Sequence, residues 1–149
     1  MIAKESIILR KSVNKKLGGK IPMLLKGALE FMAAKYPAVN FEGIQYIFSG
    51  SSRRSRYYRN AKNAKHAQPT VCICTRARLL LYDKKSLKMS IRDLFVGAET
   101  QIMCALVHEL THHMQYEMNL PKGELETTRN ELEYLKEYSV NHYNKVMGI

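Results

Sequence analysis

Between Glu99 and Met118 the residues Ile102, Ala105, Leu106, Leu110 and Met114 recur at helical offsets, and the same stretch (IMCALVHELTHHM) holds three histidines and a glutamate. A chain that folds this segment as a helix must carry imidazoles and a carboxylate beside its own core, which is costly unless they have a partner. Pro121-Lys122-Gly123 then breaks the helix. A second amphipathic stretch follows from Glu124 to about Met147, with Leu125, Thr128, Leu132, Leu135, Ser139, Tyr143 and Val146 on one stripe.

His108-Glu109-Leu110-Thr111-His112 is an HExxH sequence. Residues four apart on a helix share a face, so both imidazoles can bind one tetrahedral zinc. Glu109, next to that face, is placed to act as general base on a water whose pKa the metal has lowered toward 7. His113 lies about 100 degrees around the helix from His112 and is not expected to be a ligand, whereas Gln115 shares the metal face and is expected to support it.

A catalytic zinc keeps three protein ligands and one open position, so a further ligand is needed. The last helix is the place to look. Glu124, Glu131 and His142 lie along one edge of its apolar stripe, while Glu126, Arg129, Asn130, Glu133 and Glu137 lie on the far, solvated side. Glu131 is the first candidate for third ligand and Glu124 the second; His142 would need the metal nearly three turns further along. Tyr138, on the same edge, is a candidate for polarising a carbonyl or stabilising an oxyanion.

Upstream, Leu17, Ile21, Leu24, Leu25, Ala28, Leu29 and Met32 predict a helix from about Lys16 to Tyr36, stopped by Pro37. Phe41 to Phe48 reads as a strand, residues 49–68 as a basic loop or arm, and Thr70 to Tyr82 as two short strands broken near Arg76. Ser86 to Phe95 reads as a mixed connector with a short helix. The expected architecture is α+β, one domain over 1–149 without internal repeats. With 46% hydrophobic residues in 149, a core needs no staples. An odd count of three cysteines, with no secretory signal or membrane span, points to a cytoplasmic protein; Cys72 and Cys74 are expected to be small buried hydrophobes.

Charge is unevenly placed. Residues 1–92 carry a net +16 and residues 93–149 a net −5. Arg53, Arg54, Arg56, Arg59, Lys62 and Lys65, with Tyr57 and Tyr58 among them, combine phosphate-binding charge with aromatic faces suited to unpaired bases, so DNA or RNA is an expected partner of the basic surface.

On His108, Glu109 and His112, the chain resembles the zincin metallopeptidases. More narrowly it resembles the gluzincins, in which a helix after HExxH supplies a glutamate. Asn130-Glu131, nineteen residues after His112, resembles the Asn-Glu pair where gluzincins place that ligand. The resemblance covers about residues 99–135. It implies an N-terminal helix, a small sheet whose edge strand binds substrate in extended form, and the active-site helix. A weaker resemblance is to SprT-like domains, small zincins associated with cleaving proteins on DNA. The resulting expectation is a peptide-hydrolysing enzyme with one zinc per chain, acting on nucleic-acid-associated proteins. The alternative is a basic nucleic-acid-binding accessory protein whose metal site is structural or vestigial.

Overall fold

A computed structural model describes residues 6–59, 68–76, 80–83, 88–91 and 97–147, with the backbone alone at 80–83, 88–91, 142 and 145–147. The elements run β1 (Ile7–Leu9), α1 (Lys15–Gly18), α2 (Ile21–Lys35), β2 (Gln45–Ser49), β3 (Arg56–Arg59), β4 (Pro69–Cys74), β5 (Leu80–Asp83), β6 (Lys88–Ile91), α3 (Ala98–Glu117), α4 (Glu124–Tyr138) and α5 (Val140–Met147). The architecture is α+β. No helix among the described residues is long and apolar enough to cross a membrane.

Four strands form a mixed sheet in the order β1-β2-β4-β3. β1, β2 and β4 are mutually parallel, with Ile7 opposite Tyr46 and Tyr46 opposite Val71. β3 is antiparallel to β4, with Arg56 opposite Cys72 and Tyr57 opposite Val71. A parallel pair needs a crossover, and α1 and α2 supply the one from β1 to β2. β5 and β6 form a separate antiparallel pair.

The helix expected from Lys16 to Tyr36 is two helices. Asn14 caps α1, its side-chain oxygen accepting from the Lys16 and Leu17 amides at 2.9 and 3.3 Å. Gly18 and Gly19 weaken the continuation. Pro22, which lacks an amide hydrogen, is tolerated because α2 restarts at Ile21 and places it in the first turn. The last helix is likewise divided. Ser139 is extended (φ −156°, ψ 107°), ends α4, and offers its carbonyl to the Tyr143 amide as α5 begins, the ordinary place for a serine at a helix start.

One face of the sheet (Tyr46, Phe48, Val71 and Ile73) packs with Ile21, Leu25, Ala28 and Met32 of α2 and Ile102, Leu106, Val107 and Leu110 of α3 in a single core. Burying each large aliphatic side chain contributes about 1.5–3 kcal/mol, so this layer fixes α3 against the sheet. Tyr57 of β3 packs at its edge. Gly50, just after β2, is required by close approach: a Cβ there would lie 2.1 Å from the Ser12 carbonyl oxygen.

Two stretches differ from expectation. Within the expected basic loop, residues 56–59 form the sheet's edge strand, because Tyr57 has core to pack against and Arg59 finds a carboxylate. In the connector expected to hold a short helix, Lys88–Ile91 form β6, and its other residues lie outside the described ones. β1 is too short to announce itself by pattern. The break near Arg76 is present, with Thr75 and Arg76 in a turn after β4.

Candidate metal centre

α3 brings His108 and His112 to one face, and the chain must then reverse to bring an acid beside them. Asn119 enables the reversal. It adopts φ 56°, a left-handed conformation that asparagine tolerates, and the Leu120 amide closes back on the Gln115 carbonyl at 2.7 Å. Gly123 starts α4 in extended backbone, and Glu124, its first helical residue, faces α3.

The Glu124 carboxylate spans both imidazoles. Its Oε2 lies 3.0 Å from His108 Nε2 and its Oε1 lies 3.1 Å from His112 Nε2. One ligand atom from each of the three residues falls within 4.8 Å of the others, a group that can hold a metal ion. The rings are 5.0 Å apart and nearly perpendicular.

The other nitrogen of each ring is also engaged. His112 Nδ1 faces Gln115 Oε1 at 2.9 Å, and the Gln115 amide nitrogen donates to the Gly123 carbonyl at 3.0 Å. That second bond orients the amide, so its oxygen must accept from Nδ1–H. His108 Nδ1 donates to Glu131 Oε1. Both imidazoles therefore carry a proton on Nδ1 and aim Nε2 at the Glu124 carboxylate, the arrangement in which outer partners prepare histidines for a metal. In neutral His112 that leaves a lone pair against a carboxylate oxygen. A cation resolves the clash, and in this sense the residues fit a divalent ion.

The two acidic candidates meet different nitrogens, Glu124 both Nε2 atoms and Glu131 the Nδ1 of His108. Glu131, expected as third ligand, is 1% exposed and stands behind His108, on the ring nitrogen away from Glu124. Seven residues, about two helical turns, separate the two acids along α4, and only the first turn lies level with both Nε2 atoms. Glu131 Oε2 is buried with no hydrogen-bond partner. Such a group costs about 1–3 kcal/mol or more, so packing alone does not favour an acid there.

Electrostatics follow the same geometry. Burial pushes Glu109 up to about 7, against the opposing pull of His108. It is 4% exposed, with Oε1 3.9 Å from His108 Nε2. Burial disfavours charge on His108, but Glu131 and Glu124 outweigh it and hold the imidazole up at about 11. Glu124 is drawn down to about 2 by its bond to His108. Burial also raises Glu131. We assign the proton of that pair to the imidazole, since both His108 nitrogens face carboxylate oxygens and both must donate.

His113 points elsewhere. It is 1% exposed, its Nε2 donates to the Asn40 carbonyl at 2.7 Å, and its Nδ1 accepts from the Tyr57 hydroxyl at 2.9 Å. The Tyr57 oxygen in turn accepts from Arg59 Nε at 3.1 Å, and Arg59 pairs with Glu117 while lying over the Tyr116 ring. These contacts clamp the edge strand to α3. A second cluster joins α2, α3 and α4: Asn130 donates to Thr111 Oγ1 and to Tyr36 Oη, each at 3.0 Å. Asn130 was expected on a solvated side but is 1% exposed, because the C-terminal end of α2 covers that side of α4.

Tyr138 is not brought to the centre. Fourteen residues separate it from Glu124, about 21 Å along a helix, and it is half exposed. Of the basic residues singled out, Arg53, Arg54 and Arg56 are exposed, and Arg54 is near enough for its charge to draw Glu109 partly back down. Tyr57 and Arg59 are occupied in the clamp. Lys62, Lys65 and the His142 side chain lie outside the described residues.

No protein-family model matches the chain, and no curated protein and no solved structure matches it.

Proposed function

We propose that this chain is a zinc-dependent peptidase of zincin type, with His108, His112 and Glu124 as ligands and Glu109 as general base. One observation carries the reading: two Nε2 atoms face one carboxylate, each with its Nδ1 proton held from behind, beside a buried glutamate whose pKa sits near neutrality. Two imidazoles and a carboxylate are a donor set suited to zinc. Zinc held there supplies a Lewis acid that polarises a peptide carbonyl and acidifies a water.

Glu109 takes a proton from the attacking water as its oxygen adds to the carbonyl carbon. It returns that proton to the amide nitrogen as the C–N bond breaks. Burial raises the Glu109 carboxylate above the usual range, which favours its picking up a proton from the water and giving it back. Glu131 holds the Nδ1 proton of His108, so that the Nε2 proton is the one given up to a metal, and Gln115 holds the Nδ1 proton of His112 and leaves its Nε2 free. β3 supports a peptide substrate in particular. Among the described residues it pairs only with β4, so its outer edge offers amides and carbonyls to an extended chain beside α3.

The test is Glu109→Gln in the full chain, assayed on a fluorescently labelled unfolded protein with zinc measured in the same preparation. Turnover should fall by about 100-fold or more while zinc is retained. Equal turnover by the variant, or wild type that takes up no zinc when offered it, ends the proposal.

A further inference from the structure

Strand alternation gives β3 two faces: Tyr57 turns inward to His113, and Tyr58 turns outward. The register assembles the outward surface. Ile8, Ile47, Cys72 and Arg56 form one cross-strand row, with Tyr58 beside Arg56 and Arg10 just past the end of β1. Ile8 is 39% exposed, Arg10 and Arg56 are exposed, and Ile47, Cys72 and Tyr58 are half-buried.

The Arg56 guanidinium lies 5.1 Å from the centre of the Tyr58 ring, whose oxygen takes the Cys72 thiol at 3.8 Å. Among the described residues neither Arg10 nor Arg56 pairs with a carboxylate, in contrast to Arg59. None of the residues of the four strands is acidic. This is an apolar, aromatic platform bordered by cations and lying on the part of the chain that carries net +16.

We propose that the sheet face opposite the helices binds single-stranded nucleic acid, with Arg10 and Arg56 on phosphates and Tyr58 under a base. Charge complementarity selects a polyanion. A sheet face that carries an outward-turned aromatic ring and, among the described residues, no protruding element favours splayed bases over a duplex, whose bases are stacked away. The proposal does not depend on the metal reading, because this surface and the imidazoles lie on opposite sides of the sheet. It moves the expected nucleic-acid contact from a loop to a formed surface: Tyr57 and Arg59 drop out of it, and Arg10 joins.

The experiment is fluorescence anisotropy of a labelled oligothymidine of about 16 nucleotides, and of a duplex of equal length, from about 50 to 200 mM salt. Full-length wild type is compared with Arg10→Ala/Arg56→Ala, Tyr58→Ala, Arg56→Lys and the helix-side control Lys26→Ala/Arg129→Ala. Wild type should bind the single strand more tightly than the duplex. The double arginine variant should lose about tenfold or more and show a shallower salt slope, by roughly 0.7 per lost phosphate contact. Tyr58→Ala should weaken the single strand roughly 5- to 150-fold. Arg56→Lys should retain most of the affinity, and the helix-side control should match wild type.

The proposal is overturned if wild type does not bind at the lowest salt, or if the control loses as much as the double arginine variant. It is equally overturned if anionic phospholipid vesicles bind through the same residues more tightly than the oligonucleotide. Zinc content and a thermal melt on every variant separate failure of this surface from failure of the metal centre or the fold.

Discussion

The proposed ligand role for Glu124, with Glu131 behind His108, makes a prediction that turns on which nitrogen of His108 each one faces. Glu131→Gln preserves volume and an acceptor for Nδ1–H but removes the charge that makes the ring a better donor through Nε2. Outer carboxylates of this kind are worth about 10- to 100-fold in metal affinity, or about 1.4–2.8 kcal/mol. Glu131 is 1% exposed, so water does not dilute its effect. The Gln variant should fall near tenfold and Glu131→Ala, which leaves the Nδ1 proton unmatched, near 100-fold. Glu124→Gln removes the anionic member of the ligand set and should lose more than either. Zinc affinity is read by competition with a chromophoric chelator near pH 7, since such affinities depend strongly on pH. If Glu131→Gln weakens zinc more than Glu124→Gln does, Glu131 is the ligand and the arrangement argued above is refuted.

Three further outcomes follow from the same geometry. His108, held up at about 11 in the metal-free protein, must surrender a proton to take zinc. Near pH 8 calorimetry in two buffers of different ionisation heat should therefore show about one proton released per zinc, with affinity weakening as pH falls. Tyr57→Phe leaves buried His113 Nδ1 without its donor, a loss of about 1–3 kcal/mol. The melting temperature should fall by roughly 2–4 °C for each kcal/mol, with zinc content unchanged. Gly50→Ala drives a methyl into the Ser12 carbonyl and should cost about 1–3 kcal/mol or more in urea unfolding, whereas Gly19→Ala, which meets atoms no closer than 3.7 Å, should be nearly neutral.

The centre was legible where periodicity carries geometry. Offsets of four put His108 and His112 on one face, and three more put Gln115 under His112, because a helix fixes those relations whatever surrounds it. Glu124 and Glu131 share an edge of α4, so the helical wheel identified both. It could not rank them, since their heights relative to His108 depend on the turn at Asn119 and on the tilt between two helices. Asn130 was misplaced for a related reason: a wheel drawn for one helix does not include the third that covers its other side. β3 was hidden because an edge strand with one inward tyrosine, flanked by arginines, has the composition of a loop. Its order comes from partners such as His113 and Glu117, more than fifty residues away.

His108, His112, Gln115, Glu124 and Glu131 all lie within one helical hairpin, α3 to α4. An ion binding there would close a segment of only 17 residues, from His108 to Glu124. Contacts so near in sequence form early and cheaply, whereas the parallel pairings of β1, β2 and β4 must wait for long loops to close. If the hairpin binds an ion, that ion would tie α3 to α4 through contacts local in sequence, independently of the long-range pairings that build the sheet.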